Sequence, residues 1–311
     1  MKALRDIFLM MRPQQWIKNL FVFPALIFSK HLFDGTYVLK SVSAFGLFCV
    51  LSGSIYIFND LLDIEEDRYH PTKKFRPLAA GRVRATTAWA VFGASSLAGL
   101  ALSFVLQYQF GVIASAYYLM SLAYSAYLKR VVILDVLIVS TGYVLRAVAG
   151  GLALSVAISH WLLICTILLA LFLVLAKRRQ ELTLLDDRAN MLMELSLATK
   201  DAESAVKYRK SLDDYNPYFL DQMIGVTTSS TLMAYILYTV SPDATEKFGG
   251  RGLLYTVPFV INGIFRYLYL IHQKKEGHSP TQTLLGDTPL LLDIALWGFT
   301  VVVVLYFNMP S

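Results

Sequence analysis

The sequence predicts an all-α integral membrane protein with nine transmembrane helices and a cytoplasmic N-terminus. Three observations predict it. The 311 residues are 56% hydrophobic and 16% charged, with mean hydropathy +0.53, where a soluble domain would be near a quarter charged. The apolar residues fall in runs near the ~20 residues that span a bilayer as a helix. The basic residues gather in one set of loops, as positive-inside orientation requires.

Taken in order, the spans fall at about 19–34, 40–60, 87–106, 109–127, 132–154, 160–176, 222–241, 253–272 and 289–308. Backbone groups in lipid must be satisfied within the segment, so these runs are helices, and membrane helices tolerate Pro24, Pro258 and Pro289. Of the 28 Lys and Arg, 22 fall at the N-terminus and in the loops after helices 2, 4, 6 and 8. Lys30, Lys40, Lys247 and Arg251 fall on the other side, and Arg146 and Arg266 lie within spans. Topology therefore accounts for most of the +6 net charge, and no nucleic-acid partner is called for. Two larger cytoplasmic loops follow helices 2 and 6, at about 61–86 and 177–221, the second helical in pattern. That spacing hints at two four-helix halves plus a ninth helix within one membrane-embedded domain over 1–311. The N-terminus is too broken by charge for a signal peptide. Cys49 and Cys165 lie in apolar runs, as inert thiols do. No P-loop, glycine-rich dinucleotide fingerprint or metal-cysteine pattern occurs.

The stretch "NDLLDIEEDRYHPTKKFRPLAAG", residues 59–81, carries the chemistry. Asp60, Asp63 and Asp67 stand at i, i+3 and i+7 on the continuation of helix 2, which is one helix face, with Asn59 beside them. Three converging carboxylates repel unless a cation sits between them. Hard oxygen ligands with room for water suit Mg²⁺, which bridges to substrate phosphates. Glu65 and Glu66 point elsewhere, into solvent. Lys73, Lys74 and Arg76 follow, so metal-bound acids beside fixed cations form a cradle for a diphosphate. The plainer alternatives are a charged helix end and ordinary positive-inside charge. His70, before Pro71, reads as a turn residue.

"NDLLDIEED" resembles the first aspartate-rich motif, N-D-x-x-D-x-x-x-D, of the UbiA superfamily of intramembrane prenyltransferases. The resemblance implies nine helices around a central cavity, with Asn59, Asp60, Asp63 and Asp67 as catalytic residues. Members acting on aromatic acceptors carry a second acidic motif after helix 6. Here "LAKRRQELTLLDD" places Lys177, Arg178 and Arg179 there, and the adjacent Asp186 and Asp187 cannot share a helix face. One acid cluster and one basic cluster suit two anionic substrates.

The stretches "RPQQWIKNLFVFPAL", "YLKRVVILDVLIVSTGYVLRAVAGG", "KRRQEL" and "RYLYLI" look like the decaprenyl-phosphate phosphoribosyltransferase branch. That branch implies transfer of phosphoribose from PRPP to a polyprenyl phosphate in a bacterial plasma membrane, feeding arabinose donors for cell-wall arabinan. The soluble-enzyme PRPP loop is absent, so PRPP rests on the resemblance. Lys73 and Arg76 would assist at the diphosphate. Lys18, Lys129, Arg130, Lys177 and Arg178 are candidates for the 5-phosphate and the lipid phosphate.

Intramembrane charge adds to the site. Asp135 and Arg146 are eleven residues apart on helix 5, nearly one face, with Arg146 about 16 Å deeper. Such groups line cavities, and a structural pair elsewhere is the alternative. Arg266 is expected to snorkel. Tyr124, Tyr127 and Tyr143 read as packing or interfacial aromatics, with orientation of substrate the alternative. Two other classes stay open: a prenyltransferase with an aromatic acceptor, disfavoured by the basic cluster, and a lipid-phosphate transporter. The transporter is disfavoured because its site would lie at the midplane. Homo-oligomers are left open.

Overall fold

The computed structural model describes residues 2–69, 72–196, 215–272 and 280–307. His70, the side chains of Asp186 and Asp187, and the rest of the loop between 197 and 214 lie outside them. Among the described residues the regular structure is helical, with no strand. The helices are α1 (Lys2–Met10), α2 (Pro24–Phe28), α3 (Gly35–Leu62), α4 (Ile64–Tyr69), α5 (Ala85–Leu106), α6 (Tyr108–Ala126), α7 (Leu134–Leu154), α8 (His160–Ser196), α9 (Pro217–Val240), α10 (Pro242–Phe248), α11 (Val257–His272), α12 (Pro280–Gly286) and α13 (Thr288–Tyr306). Seven helical segments among the described residues are long and apolar enough to cross a membrane: Gly35–Leu62, Ala85–Leu106, Leu134–Leu154, His160–Thr183, Pro217–Val240, Gly252–His272 and Thr288–Tyr306.

Two expected spans differ. The first, at 19–34, is not one helix. A 3-10 helix, Pro13–Val22, leads into the five residues of α2. Pro24 lacks an N–H donor, so an α-helix cannot run through it unbroken. The buried Asn19 spends its side chain on distant groups, donating to Cys49 Sγ at 3.3 Å and Ser52 Oγ at 3.2 Å. The fourth, at 109–127, is α6, whose Tyr, Gln and Ser residues leave it less apolar than the seven. The helix expected over 160–176 continues through the basic cluster to Ser196.

The chain packs as two compact units, residues 1–129 with 137–163, and residues 130–136 with 164–311. In the first, α3 is the centre, packed on α5, α6 and the 3-10 helix. Asp34 starts α3 by accepting from Thr36 N at 2.9 Å and Tyr37 N at 3.4 Å, a standard N-cap. Its 28 residues would run about 42 Å, against a hydrocarbon thickness of ~30 Å. The surplus carries Asn59 and Asp60 past the apolar stretch. Ala44, Phe48, Leu51 and Ile55 form its buried stripe, and Phe48 meets Phe110 edge-on at 5.8 Å. Helix association in lipid depends on close packing. Gly150 on α7 shows how close: an added Cβ would strike the carbonyl oxygen of Val22. That approach lies one turn beyond Arg146 and three residues beyond Asn19.

In the second unit, α9, α11 and α13 pack together with the 3-10 turn Gly252–Thr256. Asp287 caps α13 through Leu290 N at 3.0 Å and holds Arg266 at 3.1 and 2.9 Å. Arg266, expected to snorkel, is thus paired within the fold. Ile133 has φ +68°, an outlier for a β-branched residue. Its N–H donates to the Tyr215 hydroxyl at 2.8 Å, which in turn donates to Asp135 Oδ1 at 2.8 Å. The left-handed conformation costs an L-residue ~1–2 kcal/mol and asparagine less. Ile133→Asn is therefore expected to raise stability by about 1 kcal/mol, read as an increase in the thermal unfolding midpoint; an unchanged or lower midpoint would count against strain there.

Candidate active site

The acid motif lies in the first unit, where α3 ends and α4 begins. Asp63 is the C-cap of α3, with φ −98° and ψ 10°, so the acids do not continue one straight helix. Asp60 is 3% exposed and Asp67 2% exposed. Arg76 Nη1 donates to Asp60 Oδ1 at 3.1 Å and to Asp67 Oδ2 at 2.5 Å. Arg12 also donates to Asp60 Oδ1, and Lys73 Nζ is 3.8 Å from Asp67 Oδ1. Asp63 is held apart. It accepts from Lys129 Nζ at 2.8 and 3.1 Å and from Asn59 Nδ2 at 3.0 Å. The structure thus joins Asp60 and Asp67 through a shared guanidinium and gives Asp63 its own cation.

Arg146 is buried in the same unit. It donates to Asn19 Oδ1 at 2.8 Å, Gly142 O at 3.0 Å and the Tyr117 hydroxyl at 2.7 Å. Its guanidinium faces the rings of Tyr117 at 4.6 Å and Tyr143 at 5.3 Å. Among the described residues none of these partners is a carboxylate, so a positive charge is fixed among apolar helices with neutral groups only. Lys18 is half-buried on the 3-10 helix.

The second unit holds the other basic residues. Arg178 and Asp135 form an ion pair at 2.8 Å with side chains 2% and 0% exposed, and Arg178 also bonds Glu181 at 2.7 Å. Burial pushes the Tyr215 phenol up to about 12, so it remains a donor to Asp135 at neutral pH. Asp135 and Arg146, read as one face, have separate partners. Arg178, expected to hold substrate, is spent on carboxylates of its own unit. Lys177 lies 3.4 Å from Glu181, Arg179 bonds Asp221 at 2.9 Å, and Arg130 is exposed.

No group of three or more His, Cys, Asp or Glu among the described residues forms a metal cage. Mg²⁺, however, is commonly held by one or two carboxylates together with phosphate oxygens and water. Asp60 and Asp67 converge on one Arg76 nitrogen, so the pair fits that mode, with Asp63 outside it. Sequence reasoning missed Arg12, whose partner lies 48 residues away. It also missed Asn19 and Tyr117, for which the available signal was a polar side chain inside an apolar run.

These features are those of helical intramembrane enzymes, and the comparisons agree. The UbiA prenyltransferase family model matches residues 20–285. A UbiA homolog from Archaeoglobus fulgidus, solved bound to GPP and Mg²⁺, shares the fold with TM-score 0.66 at 18% identity, covering 96% of this chain and 99% of that one. The chain belongs to the UbiA prenyltransferase family. It is 32% identical over 308 residues to a decaprenyl-phosphate phosphoribosyltransferase of Mycolicibacterium smegmatis, covering 96% of this chain and 91% of that protein. A protein of the same name from Corynebacterium glutamicum is 30% identical over 302 residues, covering 95% and 85%.

Proposed function

We propose that the protein transfers the 5-phosphoribosyl group of PRPP to a polyprenyl phosphate and releases diphosphate. The observation that carries this reading is the interleaving of acids and bases around Asp60 and Asp67, a cradle for a metal-bound diphosphate, in a chain related to two phosphoribosyltransferases. Mg²⁺ held by Asp60 and Asp67 would neutralise charge growing on the leaving diphosphate. Arg76, with Nη1 kept on the two acids, and Lys73 offer their remaining N–H groups to its oxygens, where charge-assisted bonds are strongest. Asn59 and Lys129 hold Asp63 apart from that pair of acids. Arg146 has no acidic partner among the described residues and meets a substrate phosphate, with Lys18 a further candidate. The acceptor's phosphate oxygen is the nucleophile. It is ionised at neutral pH, so no general base is needed, and positioning and electrostatics supply the rate. Attack from the face opposite the diphosphate inverts the anomeric centre.

In this reading the whole chain, 1–311, is one transferase domain crossing a bacterial plasma membrane nine times. Its N-terminus and active site face the cytoplasm, where PRPP is soluble, and its product feeds cell-wall arabinan. The positive-inside bias supports the orientation. Purified protein with Mg²⁺ is expected to convert radiolabelled PRPP and polyprenyl phosphate into a phosphoribosylated lipid, with diphosphate released. Prenylation of 4-hydroxybenzoate from a polyprenyl diphosphate, with no lipid product from PRPP, would replace this reading with the aromatic-acceptor activity.

A further inference from the structure

We propose that Arg12 is a displaceable counter-ion. It holds Asp60 while the site is empty of substrate and turns to the diphosphate as the divalent cation takes its place. The inference rests on the diphosphate reading above and adds a regulation of that site.

The first support is charge. Asp60 and Asp67 together carry two negative charges, and three cations contact them: Arg12, Arg76 and Lys73. Among the described residues the two carboxylates are already balanced by the cations on them. A divalent ion added alone would raise it by two more charges at close range, which is repulsive. A cation must leave Asp60, or an anion must arrive with the metal. Movement of Arg12 onto the arriving diphosphate satisfies both requirements.

The second support is which cation can leave. Arg76 bridges both aspartates through one nitrogen, so withdrawing it weakens the pairing of two buried carboxylates at once. Among the described residues Asp60 is the one carboxylate that Arg12 contacts. Its guanidinium lies over the Tyr56 ring at 4.9 Å, and a cation gains from a ring face wherever it sits across it. The ring offers a path from Asp60 along which that attraction is kept.

The third support is the backbone. Arg12 has φ 51° and ψ 66°, left-handed, immediately before Pro13. Both the side chain and the following proline disfavour a helical conformation there. Arg12 N donates to Leu9 O at 3.1 Å, and Gln15 N donates to Arg12 O at 2.8 Å. A strained main chain held by its surroundings points to a positional requirement. The main chain is fixed, so the side chain is the moving part.

The test is a pair of titrations on the full-length protein, wild type and Arg12→Gln, with Mn²⁺ as probe and free Mn²⁺ read by EPR. Without diphosphate, the variant is expected to bind Mn²⁺ about tenfold more tightly, equivalent to ~1.4 kcal/mol. With inorganic diphosphate at saturating metal, the variant is expected to bind diphosphate about tenfold more weakly. A residue that only supports the fold would not move the two affinities in opposite directions. Anything short of that opposite pair overturns the proposal: metal affinity unchanged, both affinities weakened, or diphosphate unaffected. If Arg12→Gln does not fold, Arg12→Lys loses the planar fork that reaches Asp60 and is expected to show the same pair at about threefold; its absence overturns the proposal equally. Neither titration contains PRPP or lipid. An enzyme found to prenylate 4-hydroxybenzoate would thus lose the PRPP assignment and still score the counter-ion.

Discussion

Asp60→Asn is expected to lower turnover by about 10²–10³-fold at saturating substrates, the loss typical when one preorganised electrostatic group is removed. Asparagine keeps the shape of the side chain and loses its charge. It can therefore neither hold a divalent cation as a carboxylate does nor balance Arg12 and Arg76. Asp67→Asn should match it, because the two acids share Arg76. Asp63→Asn should cost less, since Asp63 is occupied by Lys129 and Asn59. Steady-state kinetics with labelled PRPP give the ranking, and a thermal midpoint shows that each variant is folded. The two arginines are about a quarter exposed, so solvent screens the pairing and the stability loss stays below that of a fully buried pair. A larger effect at Asp63 than at Asp60 would sink the two-carboxylate site.

Arg178→Met is expected to destabilise the protein by roughly 3–5 kcal/mol, because it leaves Asp135 buried without its cation. Asp135 is fully buried, and the Tyr215 hydroxyl donor cannot replace a full charge. The double variant Arg178→Met with Asp135→Leu should recover most of the loss, since apolar groups of similar volume often replace a buried pair at little cost. Thermal unfolding of the two variants measures the difference. An Arg178→Met protein as stable as wild type, with a raised KM for one substrate, would return Arg178 to substrate binding.

Helix content and the acid motif were legible in the sequence because both are local. Long apolar runs have one solution in lipid, and the Asp60–Asp67 spacing placed these residues at a helix end. Partner choice was not legible. Spacing put Asp63 on the face of its neighbours, yet Lys129, 66 residues on, draws it away as α3 ends at Leu62. Lys177 and Arg178 of the KRR cluster read as substrate cations, but Arg178 meets Asp135, as its neighbour Arg179 meets Asp221, acids far apart in sequence. The first span failed for a different reason. Pro24 was read as tolerated within a membrane helix and the apolar average concealed Asn19, yet one proline with one buried amide outweighs average hydropathy.

The seating of Gly150 on Val22 bears on how the chain is made. Asn19 reaches its arginine across 127 residues, and the two backbones must touch before that bond can form. At synthesis rates of about 5–20 residues per second, the ribosome needs ~6–25 s to supply the second partner after the first. The 3-10 segment is therefore among the first parts to emerge and among the later ones to lock. Arg12, at its leading end, needs only 48 further residues to meet Asp60, so the two ends of the segment find their partners at different times.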